Sequence, residues 1–279
     1  MTKEIFNSQY ILADGGMGTM LMRRGLKPGS RSDMMNIEHP EIVEGIHAEY
    51  VAAGSRILCT NTFSSCSETL KSSGVSADEI IGAAVKLAKR ASAGKALTAV
   101  DIGPTGEFME PYGDLTYERA YARFSEQARL GKAHGAELSA VETMSTVSEL
   151  EAAVNAALDA GLDTLATMTF TATGKTYAGC TVEDFASYIN DTAVLAAGLN
   201  CSLSPDEMYP TAEKLASLIN KPLIMKLNAG LPKEDGTYSV SAEEFARQME
   251  KYKALNVRIV GGCCGTTPEY IRCLSEVFY

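Results

Sequence analysis

Histidine is scarce in this sequence: His39, His47 and His134 are the only three in 279 residues. Each falls in or beside a stretch that reads as helix, where packing or facing solvent is the default role. No histidine stands out as a general base, and any metal site must lean on sulfur. Clusters of Lys or Arg are also absent, and the net charge is −10. That balance speaks against nucleic acid or an anionic membrane surface as a partner. No apolar run reaches about 18 residues, and the first eight residues contain no apolar leader segment, so a cytoplasmic protein without a membrane span is expected. No Gly-x-Gly-x-x-Gly opens a helix and no Walker-type loop occurs, which disfavours the nucleotide-binding doubly wound sheets.

What is present is sulfur. Cysteines stand at positions 59, 66, 180, 201, 263, 264 and 273, an odd number with no sign of secretion. In a reducing compartment such residues serve as packing groups, metal ligands or reactive thiols rather than as disulfides. The pair Cys263-Cys264 lies in Arg258-Ile-Val-Gly-Gly-Cys-Cys-Gly-Thr-Thr-Pro-Glu269, which reads as strand, tight turn and helix start. Successive side chains of a strand point to opposite faces, so adjacent cysteines converge only if the backbone leaves the extended form. Glycine on both sides permits that.

A strand–helix alternation runs from end to end. Strands are predicted at residues 10–16, 56–63, 97–104, 138–144, 164–170, 193–201, 222–230 and 257–262, each followed by a segment of helical periodicity. Eight such units are the pattern of a (β/α)8 TIM barrel of about 250 residues or more. No linker or composition break interrupts them, so residues 1–279 are expected to form one barrel domain.

In that architecture the reactive groups lie at the C-terminal ends of the strands. Those ends carry Asp14, Asn61, Asp101, Glu142, Cys201, Asn228 and the pair Cys263-Cys264. Cys201 thus supplies a third thiol near the other two. Three thiolates around one ion with a fourth position open form a catalytic rather than a structural zinc site, and soft sulfur favours zinc over magnesium or manganese. A zinc bound by three thiolates carries a net charge of −1 and generates hydroxide poorly. It can instead take up an incoming thiol, whose ordinary pKa is about 8.5, as thiolate. Thiol alkylation by in-line displacement is the chemistry expected. Cys59, Cys66, Cys180 and Cys273 read as packing residues.

The other strand ends suit a thiol amino acid. Asp14 and Glu142 can pair with an α-ammonium, and the backbone N–H groups around Gly15, Gly16 and Thr19 can hold a carboxylate. Alternatives stay open: Glu142 could instead partner a nearby Arg or Lys, and Asp14 could only organise its glycine turn.

At these residues the chain resembles the homocysteine S-methyltransferase family. The matching pieces are Asp14-Gly-Gly-Met-Gly-Thr19, Thr60-Asn-Thr-Phe63, Val141-Glu-Thr143, Gly198-Leu-Asn-Cys201, Asn228-Ala-Gly230 and Gly261-Gly-Cys-Cys-Gly-Thr266. They occur in order over nearly the whole chain. The resemblance implies a (β/α)8 barrel, Zn²⁺ on Cys201, Cys263 and Cys264, and homocysteine held around Asp14, Gly15, Gly16, Thr19 and Glu142. Asn61 and Asn228 join the candidate substrate contacts, and the Asn228 amide oxygen could cap the zinc when no thiol is bound. The loop Asp101-Ile-Gly-Pro-Thr-Gly106 is similar to that of the homocysteine-binding module of cobalamin-dependent methionine synthases. The sequence contains no folate-binding barrel and no Asp-x-His-x-x-Gly stretch. The likeness therefore implies methylcobalamin delivered on a separate corrinoid protein. Donors such as S-methylmethionine or betaine, and a non-catalytic zinc- or thiol-binding barrel, are the competing readings. One departure stands out: Lys226-Leu227 precedes Asn228 where those modules tend to have proline directly before the asparagine. Lys226 either reaches the site, altering docking or donor choice, or points outward.

Overall fold

Eight parallel strands follow one another around a ring in the computed structural model, which describes residues 8–233 and 236–279. They are β1 (Ile11–Leu12), β2 (Ile57–Cys59), β3 (Leu97–Ile102), β4 (Leu138–Met144), β5 (Asp163–Met168), β6 (Ala196–Cys201), β7 (Leu223–Leu227) and β8 (Val257–Gly262). Each pairs with its sequence neighbour from β2 to β8, and β8 pairs with β1. The last seam is closed by a bridge between Ala13 and Ile57, with Asp14 N–H donating to the Ile57 carbonyl at 3.1 Å and Arg56 N–H to that of Leu12 at 2.7 Å. The architecture is the (β/α)8 barrel expected. The first seven residues, to which the expectation of no leader segment largely applies, lie outside the described residues. Among those described, no helix is long and apolar enough to cross a membrane.

The strands read as near-continuous apolar runs because both of their faces are buried. Alternate residues divide between two cores. Leu12, Leu58, Val100, Val141, Met225 and Val260 face the surrounding helices. Ile11, Ile57, Leu97, Leu138, Ile224 and Ile259 fill the barrel interior, and the smaller Ala13, Cys59, Ala99 and Ala140 belong to the same cluster. Two residues further along their strands, Asp101, Glu142 and Lys226 share the inward parity of Ala99, Ala140 and Ile224. The interior therefore changes from a packed apolar floor to a charged layer beneath the mouth.

Local chemistry sets the helix starts. The Ser204-Pro205 opener predicts its helix (Pro205–Leu218), with Ser204 and Glu207 forming a capping box. Ser76 with Glu79 and Thr181 with Asp184 do the same for Ala77–Ser92 and Val182–Asn190. The strand predicted over 56–63 stops at Cys59. Beyond it the Thr60 and Thr62 hydroxyls, 2.8 Å apart, take over the ladder's role, each accepting from the Asp101 N–H at 3.2 Å. Asn61 consequently sits on a loop. Short helices at Met17–Arg23, Met35–Glu38 and Ser67–Leu70 were not evident from periodicity, being too brief to show one.

Candidate active site

The three cysteines meet at the mouth because two loops bend sharply. Cys201 ends β6 with φ +56° and Ser202 follows at φ +70°, a left-handed pair in residues that are not glycine. Such conformations cost on the order of 1–3 kcal/mol each and persist only when neighbours over-determine them. Here the Ser202 hydroxyl accepts from Phe170 N–H at 3.0 Å, and the Ser202 carbonyl accepts from the Asn228 amide at 2.9 Å. On the facing loop, Cys263 N–H continues the ladder to the Leu227 carbonyl at 2.8 Å. Gly265 then turns at φ +82° and donates to the Thr19 hydroxyl at 2.9 Å. Cys264 N–H donates to Asn228 Oδ1 at 3.0 Å. The chain thus leaves the extended form within the tandem pair, as the flanking glycines allow.

A Cβ placed on Gly16 would lie 2.6 Å from the Cys263 carbonyl oxygen, a backbone atom with no room to retreat. Gly16→Ala should therefore displace the Cys263 loop and weaken metal binding about tenfold or more, the scale seen when a ligand's support is lost. Competition with a chromogenic zinc chelator measures it, and unchanged affinity would show that the contact does not position the loop.

The sulfurs of Cys201, Cys263 and Cys264 lie within 4.8 Å of one another, with Cys201 Sγ and Cys264 Sγ 3.7 Å apart. Tetrahedral zinc with Zn–S near 2.3 Å needs sulfurs about 3.8 Å apart. The trio therefore fits a zinc ion with little adjustment. Without metal, hydrogen bonds from Cys263 and Cys264 hold the Cys201 thiol far below its ordinary range. The hydrogen bonds to Cys201, with burial and its negative charge adding to them, push the Cys264 thiol up to about 12 and the Cys263 thiol well above normal. The cluster shares one negative charge, which suits it to a cation.

Beside the sulfurs opens a cavity of about 390 Å³. It brings together the three cysteines and the predicted Asp14, Gly15, Gly16, Thr19, Asn61 and Glu142, and adds Cys59, Asp101, Lys226 and Tyr238. Two expectations are resolved here. Lys226 points inward and is 4% exposed, and its ammonium donates to Glu142 Oε2 at 2.6 Å and to Cys59 Sγ at 3.1 Å. Glu142 accordingly has a lysine partner, the alternative role left open for it. Burial works against the Lys226 charge, but Cys59, Glu142, Asp14 and Asp101 around it outweigh that and hold it protonated. Cys59, read as packing, is instead a wall of the cavity, and burial pushes its thiol well up.

Asp14 does brace its turn, since its Oδ2 accepts from Cys59 N–H at 2.7 Å, but its Oδ1 has no hydrogen-bond partner. Burial, opposed by Lys226, pushes its carboxyl up to about 6. The Asn61 amide donates to the Ser32 carbonyl at 2.6 Å and to Asn36 Oδ1 at 3.2 Å. Asn228 spends both ends of its amide on the cysteine loops, its oxygen already accepting from Cys264 N–H.

Fold and site together define a (β/α)8-barrel enzyme with a three-thiol centre at the C-terminal mouth. The chain belongs to the homocysteine S-methyltransferase family, whose profile matches residues 11–278, and is thus a methyltransferase. Among solved structures it is similar to the oxidized form of the homocysteine methyltransferase MmuM from Escherichia coli, at 23% identity, with 96% of each chain covered and a TM-score of 0.84. The metallated form of the same protein matches at 24% identity over 98% of each chain, with a TM-score of 0.83. At that identity the likeness concerns the fold.

Proposed function

We infer that this chain is a zinc-dependent homocysteine S-methyltransferase that forms methionine, taking its methyl group from methylcobalamin on a separate corrinoid protein in the cytoplasm. The observation that carries the reading is the convergence of three thiols on one point beside a cavity that also contains buried carboxylates. Cys201, Cys263 and Cys264 would hold Zn²⁺. Zinc bound there supplies the Lewis acidity that keeps an incoming thiol ionised at neutral pH.

The chain's own groups then bind and orient. The unpartnered Asp14 Oδ1 is an acceptor for the substrate's α-ammonium. The glycine turn through Gly15 and Gly16, with Thr19 beside it, borders the cavity where the carboxylate would lie. Met17, Met22 and Phe63 add apolar lining that limits water at the sulfur. No general base is needed, in keeping with the absence of histidine from the cavity lining. Exposed Phe108 and Tyr112 on the loop after β3, and Tyr177 after β5, give the mouth an aromatic rim suited to a protein carrying the donor.

The test is methionine formation from homocysteine by the purified protein with methylcobalamin, S-methylmethionine or betaine. Turnover with the corrinoid donor alone is expected. Turnover with an onium donor only would replace the donor, and bound zinc with no transfer from any donor would favour a non-catalytic barrel.

A further inference from the structure

The charged layer in the barrel is not symmetrical. Three carboxylates, on Asp14, Asp101 and Glu142, line one cavity with a single ammonium, that of Lys226. Lys226 is committed to Glu142 and Cys59, and its nitrogen stands 3.9 Å from Asp14 Oδ1, beyond hydrogen-bond range. Two buried carboxylate oxygens are thereby left without a donor: Asp14 Oδ1 and Asp101 Oδ1. The residues are 2% and 8% exposed. The other unpartnered buried side-chain atoms among the described residues belong to His47, Thr98 and Tyr188, and none of these lines the cavity. Buried acceptors are almost always satisfied, so a pair of orphans in one open cavity marks the place of a missing donor. An ammonium carries three N–H donors and the compensating charge.

We propose that Asp101, acting with Asp14, binds the α-ammonium of the acceptor thiol, the role being open to it because Lys226 already holds Glu142. The backbone of Asp101 is fully engaged: its N–H meets Thr60 and Thr62, and its carbonyl accepts from Thr62 at 2.9 Å and Gln127 at 3.1 Å. Its Oδ1 has no part in that scaffold. The proposal rests on the thiol-acceptor reading above and refines it by naming the group that reads the amino function.

The experiment is calorimetric titration of zinc-loaded protein with homocysteine and with 4-sulfanylbutanoate, the same thiol acid lacking the amino group. The wild type should prefer homocysteine by about a hundredfold, as expected when one partner of a desolvated charge pair is deleted. In Asp101→Asn, an isosteric change that leaves the backbone bonds in place, the preference should fall at least about tenfold. The fall should come from homocysteine alone, with 4-sulfanylbutanoate affinity and zinc content unchanged, a split that a merely structural role would not produce. An unchanged preference, or equal losses for both thiols, would overturn the proposal. Equal binding of the two by the wild type would overturn it while leaving thiol acceptance intact. Binding of neither would overturn the thiol-acceptor reading and the proposal with it.

Discussion

Replacing Cys201, Cys263 or Cys264 with alanine should remove tightly bound zinc and lower methyl transfer on the order of a thousandfold or more. Even loss of a group that merely supports a metal ligand costs about 10–100-fold in affinity or activity, and here the ligand itself is lost. Among the described residues, Cys201, Cys263 and Cys264 form the one group of His, Cys, Asp or Glu side chains placed to share a metal ion. The fold should survive, because Cys264 is exposed and Cys201 and Cys263 are only partly buried. Cys66→Ser and Cys273→Ser are the controls and should keep full zinc. Metal content after exhaustive dialysis, together with methionine formation, decides the matter. Stoichiometric zinc retained by Cys264→Ala would mean that the metal sits elsewhere.

Lys226→Met should give the largest loss of stability, about 3–5 kcal/mol at pH 8, the cost of leaving buried charges without their partner. At about 2–4 °C per kcal/mol for a chain of this size, the midpoint of thermal unfolding should drop by roughly 10 °C. The pH dependence follows from the sign of the shifts. Lys226 is held above its ordinary range, so it stays charged below the unfolded value and its own titration adds no pH dependence between pH 5 and 8. In the variant the stranded Asp14, Asp101 and Glu142 can neutralise only by taking up protons, and the first two already have raised pKa values with Lys226 present. A folded state that binds more protons than the unfolded chain gains stability as pH falls. The gap between wild type and variant should therefore narrow from pH 8 to pH 5, passing through the region near 6 where Asp14 titrates. Equal midpoints at pH 8, or a gap that widens in acid, would contradict the account of the lumen.

The thiol centre was legible in the chain because its signals are local. Glycines bracket Cys263-Cys264, Asn200-Cys201 ends a strand, and eight strand–helix units imply that both ends share one face. Lys226 illustrates what was less accessible. Alternation along β7 places Leu223, Met225 and Leu227 against the helices, so Lys226 shares the inward parity of Ile224. Its direction could thus have been read, but its partners could not. Glu142, Asp14 and Asp101 come from three other strands, and only closure of the ring brings them to one ammonium. The same limit applies to Asn61, whose loop depends on threonine hydroxyls bonding to a neighbouring strand. Cys59 looked like any core cysteine because nothing beside it in sequence signals the lysine it meets across the barrel.

Whether the thiol centre works through zinc is tested most directly by methionine formation from homocysteine and methylcobalamin before and after zinc removal. Activity should disappear when the metal is stripped by a chelator and return when zinc alone is restored after the chelator is removed. Full activity in protein shown to contain no metal would contradict the zinc-dependent reading.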